Sequence, residues 1–294
     1  MTLSYLKVFR WNNLTKNILI FFPYILNQQY FYLQDINQLL LGFVAFSLIT
    51  LASYLINDIS DFETDKINIL KNKNYSENSN SKKIKFYYIF IIFLTFLLFS
   101  YFFTEVITKE IFFYLILFMI YNFYTKKIFI FDIFFLICFY LVRFIYGSSL
   151  LEINIGTLVI FFLFNQFLIL SLTKRMIQII SNNLLNINKI IPYNMSHVRI
   201  ITYIMYIFFI LNLIIFINYI VYFQYSVNLM GLIITNKILN LAQLLSLFSI
   251  YIAFHLRIFY LLKNELIKID LVAYLIKDKI VMILSSLFLI ILII

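Results

Sequence analysis

Apolar runs long enough to cross a lipid bilayer recur from one end of this 294-residue chain to the other. Few architectures accommodate that pattern. In hydrocarbon every backbone N–H and C=O must be bonded within the protein, which leaves helices or a closed barrel, and runs of about 20 residues are helical in length. A composition 64% hydrophobic and only 12% charged lies outside the range of water-soluble domains. The chain is therefore expected to be all-α, a single integral-membrane domain over residues 1–294. The one cysteine, Cys138, lies inside an apolar run, which excludes a disulfide framework and a Cys-based metal site. The N-terminus has no short apolar stretch followed by a small-residue cleavage site, so no removable signal peptide is expected.

Nine spans are expected, at about 17–33, 37–57, 84–103, 109–124, 129–150, 154–172, 199–222, 237–262 and 280–294. The first is interrupted by Pro23 and by Asn27-Gln28-Gln29, and the last is short. Lys and Arg concentrate in alternate connections. Lys7, Arg10 and Lys16 precede the first span; Lys66 to Lys85 follow the second. Lys126-Lys127 follow the fourth, Lys174, Arg175, Lys189 and Arg199 the sixth, and Lys263 to Lys279 the eighth. The opposite connections carry only Lys109 and Lys237. Positive charge stays on the cytoplasmic side, so the N-terminus is expected inside and the C-terminus outside. Orientation thus accounts for most of the net charge of +10, and no nucleic-acid partner is needed.

Where the second span reaches the cytoplasm stands Asn57-Asp58-Ile59-Ser60-Asp61-Phe62-Glu63-Thr64-Asp65. Continued as a helix, Asp58, Asp61 and Asp65 fall on one face, with Asn57 one turn before Asp61. Carboxylates so placed repel unless a cation sits among them, and an oxygen-only set suits magnesium rather than zinc or copper. Other unusual residues fall near the same depth. Tyr121 and Lys126 end span four, Asp132 opens span five, Lys174-Arg175 close span six, and Arg257 lies near the inner end of span eight. Arg10 and Lys16-Asn17 precede span one. Arg143 lies about 16 Å further along span five than Asp132, at a depth where it should face the interior and find an anion or a carboxylate. Asp132 is either that partner or a charge at a helix N-terminus. A carboxylate–metal set ringed by cations suits a diphosphate, whose oxygens the metal and the cations neutralise together. His197 and His255 are isolated and lack metal-ligand spacing, and no nucleophile elbow, Walker loop or dinucleotide fingerprint occurs.

The spacing Asn57-Asp58-x-x-Asp61-x-x-x-Asp65 resembles the first aspartate-rich motif of the UbiA prenyltransferase superfamily, intramembrane enzymes with a bundle of about nine helices. The wider pattern resembles its polyprenyl-phosphate phosphoribosyltransferase branch. Arg10 and Lys16-Asn17-Ile18-Leu19-Ile20-Phe21-Phe22-Pro23 look like that branch's opening. Tyr121, Lys126 and Asp132 match its Y-S-x-x-x-K-x-x-x-x-x-D pattern, Arg143 and Gly147 its R-x-x-x-G, and Lys174-Arg175 its K-R pair. The chain departs from the branch at Asn68, where a His is usual, at Tyr75 to Asn80, and at Gln178, where an acid is frequent. The segment Ser171 to Val198 holds no Asp or Glu, whereas aromatic prenyltransferases of the superfamily carry a second acidic motif there.

The resemblance implies a magnesium-dependent transfer of 5-phosphoribose from phosphoribosyl diphosphate to a polyprenyl phosphate at the cytoplasmic face of a bacterial inner (plasma) membrane. Asn57, Asp58, Asp61 and Asp65 would hold the metal. Lys126 and Arg143 would act with Asp58 and Asp61 on the reacting phosphates, while Arg10, Lys16, Asn17, Tyr121, Asp132, Lys174, Arg175 and Arg257 would bind substrate. The alternative is transfer of a polyprenyl group from its diphosphate to an aromatic acceptor, using the same acidic motif. Besides these substrates the expected partner is the bilayer, and a homo-oligomer is compatible with either reading.

Overall fold

The computed structural model describes residues 11–27, 32–61, 80–128, 130–184, 193–225, 241–264, 274 and 278–293, all of them helical or in short connections. Arg10, Asp65, Asn68 and nearly all of the Tyr75 to Asn80 stretch lie outside the described residues. A 3-10 helix, Trp11–Phe21, runs into α1 (Phe22–Asn27), and eight longer helices follow. These are α2 (Leu33–Ser60), α3 (Asn80–Phe102), α4 (Lys109–Phe123), α5 (Phe131–Leu150), α6 (Thr157–Leu184), α7 (Ser196–Tyr225), α8 (Leu241–Lys263) and α9 (Lys279–Ile293). Among the described residues six helical stretches are long and apolar enough to cross a membrane: Leu33–Ser60, Lys85–Phe102, Phe131–Leu150, Thr157–Ile180, Ser196–Ile220 and Ala242–Lys263. Leu14–Leu26 and Lys279–Phe288 are apolar but shorter. Among the described residues each expected span overlaps a helical segment, and six of these reach spanning length. This is an integral membrane protein, in two compact units: residues 1–24 with 30–153, and residues 25–29 with 154–294.

In the first unit the 3-10 helix lies against α5 and α2. Its buried residues Asn17 and Ile20 are three positions apart, the period at which 3-10 side chains eclipse. Pro23 is the second residue of α1, where its missing N–H breaks no helical bond. Gly147 makes the close approach to α5 feasible: a Cβ there would meet the Ile20 carbonyl oxygen at 1.9 Å. Four residues before it, Arg143 donates from Nε to Asn17 Oδ1 at 2.8 Å. The two contacts are in register because three 3-10 residues and four α-helical residues both rise about 6 Å. Around them is an aromatic core. Phe46 packs on Tyr114 and Tyr146, with centroids 4.9 and 5.1 Å apart. The Tyr146 hydroxyl donates to the Val106 carbonyl at 2.8 Å and lies 3.3 Å from that of Gly42. One side chain so links α2, the approach to α4, and α5.

In the second unit α6 packs along α7, and α8 along α9. Lipid tails are as apolar as leucine, so polar contacts help to choose which helix faces meet. The Tyr251 hydroxyl (α8) donates to Gln166 Oε1 (α6) at 3.0 Å. Asn212 (α7) donates from Nδ2 to the Tyr251 hydroxyl oxygen at 3.1 Å. His255 Nδ1 faces the Tyr251 carbonyl at 3.0 Å and so carries the proton, leaving Nε2 to accept from Gln166 Nε2, also at 3.0 Å. Gln166 thus joins three helices. Replacing it with leucine is expected to destabilise the protein by about 2 kcal/mol, from several interhelical bonds of about 0.6 kcal/mol each and the buried groups stranded with them. Thermal unfolding of purified protein in detergent measures this, and an unchanged midpoint would rule it out.

Candidate functional site

The acidic motif begins inside α2. The Asp61 N–H bonds the Asn57 carbonyl at 2.9 Å and Asp61 is the C-cap of α2, so Asp58 and Asp61 stand within its last turn, while Asp65 lies outside the described residues. Two carboxylates at a helix C-terminus stand at the negative end of its dipole, and the last turn of α2 holds no cation of its own. The cations come from other elements. Lys126, in a single 3-10 turn (Thr125–Lys127) after α4, pairs with the Asp61 carboxylate and donates to Asn57 Oδ1 at 3.0 Å. Asn57 Nδ2 donates to Asp61 Oδ2 at 3.0 Å, which turns both side-chain oxygens toward one ammonium. Lys85, buried in the first turns of α3, lies 3.8 Å from the buried Asp58 carboxylate. The Ser60 hydroxyl donates to Asn122 Oδ1 at 3.0 Å, so Asn122 and Lys126, one turn apart, both fasten the end of α4 to the end of α2.

The chain regains the membrane through Ile130, whose φ of 69° is unfavourable for a β-branched residue, by about 1–2 kcal/mol. That bend admits Asp132 to the first turn of α5, fully buried, where the helix dipole favours a negative charge. Tyr121 packs its ring tilted against Phe135 and edge-on to Phe139 of α5, 6.2 and 5.5 Å between centroids.

Arg143 is buried as expected, but its partners are neutral. Besides Asn17 it donates to the Phe139 carbonyl and to the Tyr114 hydroxyl at 3.5 Å, and its guanidinium lies over the Phe46 and Tyr114 rings. Asn17 in turn donates to the Ser47 and Thr50 hydroxyls of α2 at 3.0 and 3.1 Å. Among the described residues neither Asp132 nor the acidic cluster is among these contacts, and Asp132 stands as a charge at the N-terminus of α5. A delocalised, weakly hydrated guanidinium spreads its charge over carbonyl dipoles and aromatic faces as a compact ammonium cannot. Lys16 is half-buried beside Asn17 on the 3-10 helix.

The remaining expected cations belong to the second unit. On α6, Lys174 is half-buried, and buried Arg175 donates to Gln178 Oε1, so the residue standing in place of an acid still receives a cation. Arg257 is committed to Asp278, with Nη2 2.7 Å from Oδ2, and lies over Tyr260. Asp278 also accepts the Ile280 and Val281 N–H groups at the start of α9. Arg257 and these N–H groups hold the Asp278 carboxyl below the usual carboxylate range. In this structure Arg257 ties α8 to the start of α9 through Asp278.

Among the described residues no three His, Cys, Asp or Glu side chains converge. Asn57 Oδ1 and Asp61 Oδ2 nevertheless converge on one positive group, the Lys126 ammonium, and are oxygen donors of the kind that a hard cation would take. Sequence reasoning counted Lys85 only as a topology charge and passed over Asn122, Ser60, Tyr114, Ser47 and Thr50. The pair Ser47 and Thr50, polar and three apart in an apolar span, was a readable signal; Lys85 among Lys82 and Lys83 carried none.

No family model matches the chain. A 69-residue stretch, 24% of the chain, is 38% identical to an uncharacterised protein, y4nM, of Sinorhizobium fredii (strain NBRC 101917 / NGR234), and covers only 13% of that protein's length. A solved structure described as digeranylgeranylglyceryl phosphate synthase in membranes is similar over 99% of this chain and 96% of its own, with a TM-score of 0.60 and 18% identity. That likeness establishes the fold.

Proposed function

We propose that this protein is a membrane-embedded transferase of the UbiA type, a single integral-membrane domain that draws its transferred group from a diphosphate held at Asn57, Asp58, Asp61 and Lys126. One observation carries the reading. In a helical fold shared with a membrane prenyl-lipid synthase, an amide and a carboxylate oxygen at the end of a spanning helix converge on a cation. Asn57, Asp58 and Asp61, joined by Asp65, would hold magnesium, which when bound supplies charge to the departing diphosphate. Lys126 and Lys85 neutralise the diphosphate oxygens, and the turn that carries Lys126 is fastened to α2 through Asn122 and Ser60, so the lysine stands beside the cluster before substrate arrives. Arg143 acts at one remove, holding Asn17 and with it the segment that carries Lys16.

In its finer form the donor is phosphoribosyl diphosphate and the acceptor a polyprenyl phosphate. The acid-free segment Ser171 to Val198 and its Lys174-Arg175 pair favour an anionic acceptor, and a phosphate acceptor is already ionised, so no strong general base is required. The fold neighbour favours a second reading, transfer of a polyprenyl group from its diphosphate, because its name is that of a prenylated glyceryl phosphate synthase.

Purified protein in detergent with magnesium is to be offered labelled phosphoribosyl diphosphate plus polyprenyl phosphate, or polyprenyl diphosphate plus aromatic or phosphorylated acceptors. Product from the first mixture, abolished by EDTA and restored by magnesium, is the expected result. Product from the second mixture alone replaces the first reading by the second. Product from neither, or product indifferent to EDTA, overturns both.

A further inference from the structure

Resting on the transferase reading above, we infer that Lys126 occupies the cation seat of the acidic cluster in the substrate-free protein, so that metal and diphosphate bind together and neither binds well alone. Three observations carry this. The Lys126 ammonium bonds Asn57 Oδ1 and pairs with Asp61, the same oxygens that a divalent ion would require. Asn57 Nδ2 steadies Asp61 Oδ2, so the oxygens are already aimed at one point rather than splayed in solvent. Among the described residues each carboxylate of the cluster already faces an ammonium, Lys126 at Asp61 and Lys85 at Asp58, so a divalent ion arriving alone would meet two positive charges there.

A diphosphate changes that balance. Its oxygens give Lys126 an anionic partner of equal quality, so the ammonium can turn from Asp61 to phosphate and leave its seat to the metal. The two ligands then help each other bind through one side chain, and by linkage each raises the affinity of the other by the same factor. Lys126 lies on a turn next to the strained Ile130 and is about one quarter exposed, which leaves it room to move; Lys85, almost wholly enclosed beside Asp58, stays. The arrangement also keeps the substrate-free cluster from binding cytosolic cations unproductively.

The test is binding of Mn2+ to the whole purified protein in detergent, followed by electron paramagnetic resonance at controlled free Mn2+, with and without inorganic diphosphate. Without diphosphate, Lys126→Met and Lys126→Gln are expected to bind Mn2+ at least about tenfold more tightly than the wild type. Adding inorganic diphosphate should raise the wild-type affinity by about tenfold or more and that of the variants by less. The glutamine variant keeps a hydrogen-bonding group toward Asn57, and the wild-type comparison needs no variant at all. If wild type and variants bind Mn2+ equally without diphosphate, or if diphosphate leaves the wild-type affinity unchanged, while Asp61→Asn abolishes binding, the lysine does not hold the seat. If Asp61→Asn binds as the wild type does, or no form binds Mn2+ under either condition, the metal–diphosphate reading itself falls.

Discussion

Asp61→Asn is expected to lower turnover on the order of 10²-fold or more, while the protein folds and melts nearly as the wild type does. The two halves of this result have different physical origins. The loss of rate would follow from removing a negative oxygen that, on the proposed function, faces the metal and diphosphate. The tolerance of the fold follows from position. Asp61 is the C-cap of a helix whose dipole disfavours it, and its pair with Lys126 is partly exposed, so the net effect on stability is within about 1 kcal/mol. The measurement is initial rate with the wild-type substrate mixture, alongside thermal unfolding. Equal rates for Asp61→Asn and the wild type would show that the cluster serves only structure, and an unfolded variant would reverse the assignment of its role.

A methyl group at position 147 is expected to be costlier than any other small change in the first unit. In Gly147→Ala the added Cβ would lie 1.9 Å from the Ile20 carbonyl oxygen and 2.8 Å from its carbon, and backbone atoms cannot rotate away as a side-chain terminus can. The 3-10 helix must lift, which takes Asn17 off Arg143 and leaves a buried guanidinium N–H without an acceptor. Overpacking and a stranded polar group together should cost about 3 kcal/mol or more. Gly42→Ala is the control. Its Cβ would meet Leu150 Cδ1 at 2.3 Å, a flexible terminus, and about 1 kcal/mol is expected. Thermal midpoints in detergent should fall further for Gly147→Ala than for Gly42→Ala; the opposite order would mean that the first segment is not seated on α5.

These expectations differ in how much of them could be read before the coordinates. Helix positions were legible because continuous apolarity marks a span without any need for periodicity. Hydropathy locates the segment at Trp11–Phe21 but says nothing of whether its bonds close over three residues or four. The 3-10 winding follows instead from the fit of Asn17 and Ile20 to α5. Hydropathy also ends where the bilayer does, so α6 was expected to stop near residue 172 and in fact continues to Leu184, carrying Lys174 and Arg175 on regular helix. The acidic motif was legible as a cation site, since like charges at fixed spacing demand a counter-charge. Which counter-charge was not legible: Lys85 and Lys126 are 27 and 65 residues away from Asp58 and Asp61 in the chain, and only the packing of α3 and α4 against α2 brings them in. Arg143 shows the same limit. Burial was readable from its depth, but its neutral partners depend on contacts 29 and 126 residues distant.

The matched rise of the 3-10 helix and α5 has a dynamic consequence. Asn17 and Ile20 work as two teeth of one key: a shift of a single residue along α5 disengages both at once, so no intermediate register exists in which half the contact survives. Graded sliding of the first segment is thereby excluded, and any motion there is all-or-none. Breathing that admits a substrate then falls to the ammonium contacts at the end of α2, where Lys126 can let go while Lys85 stays enclosed beside Asp58.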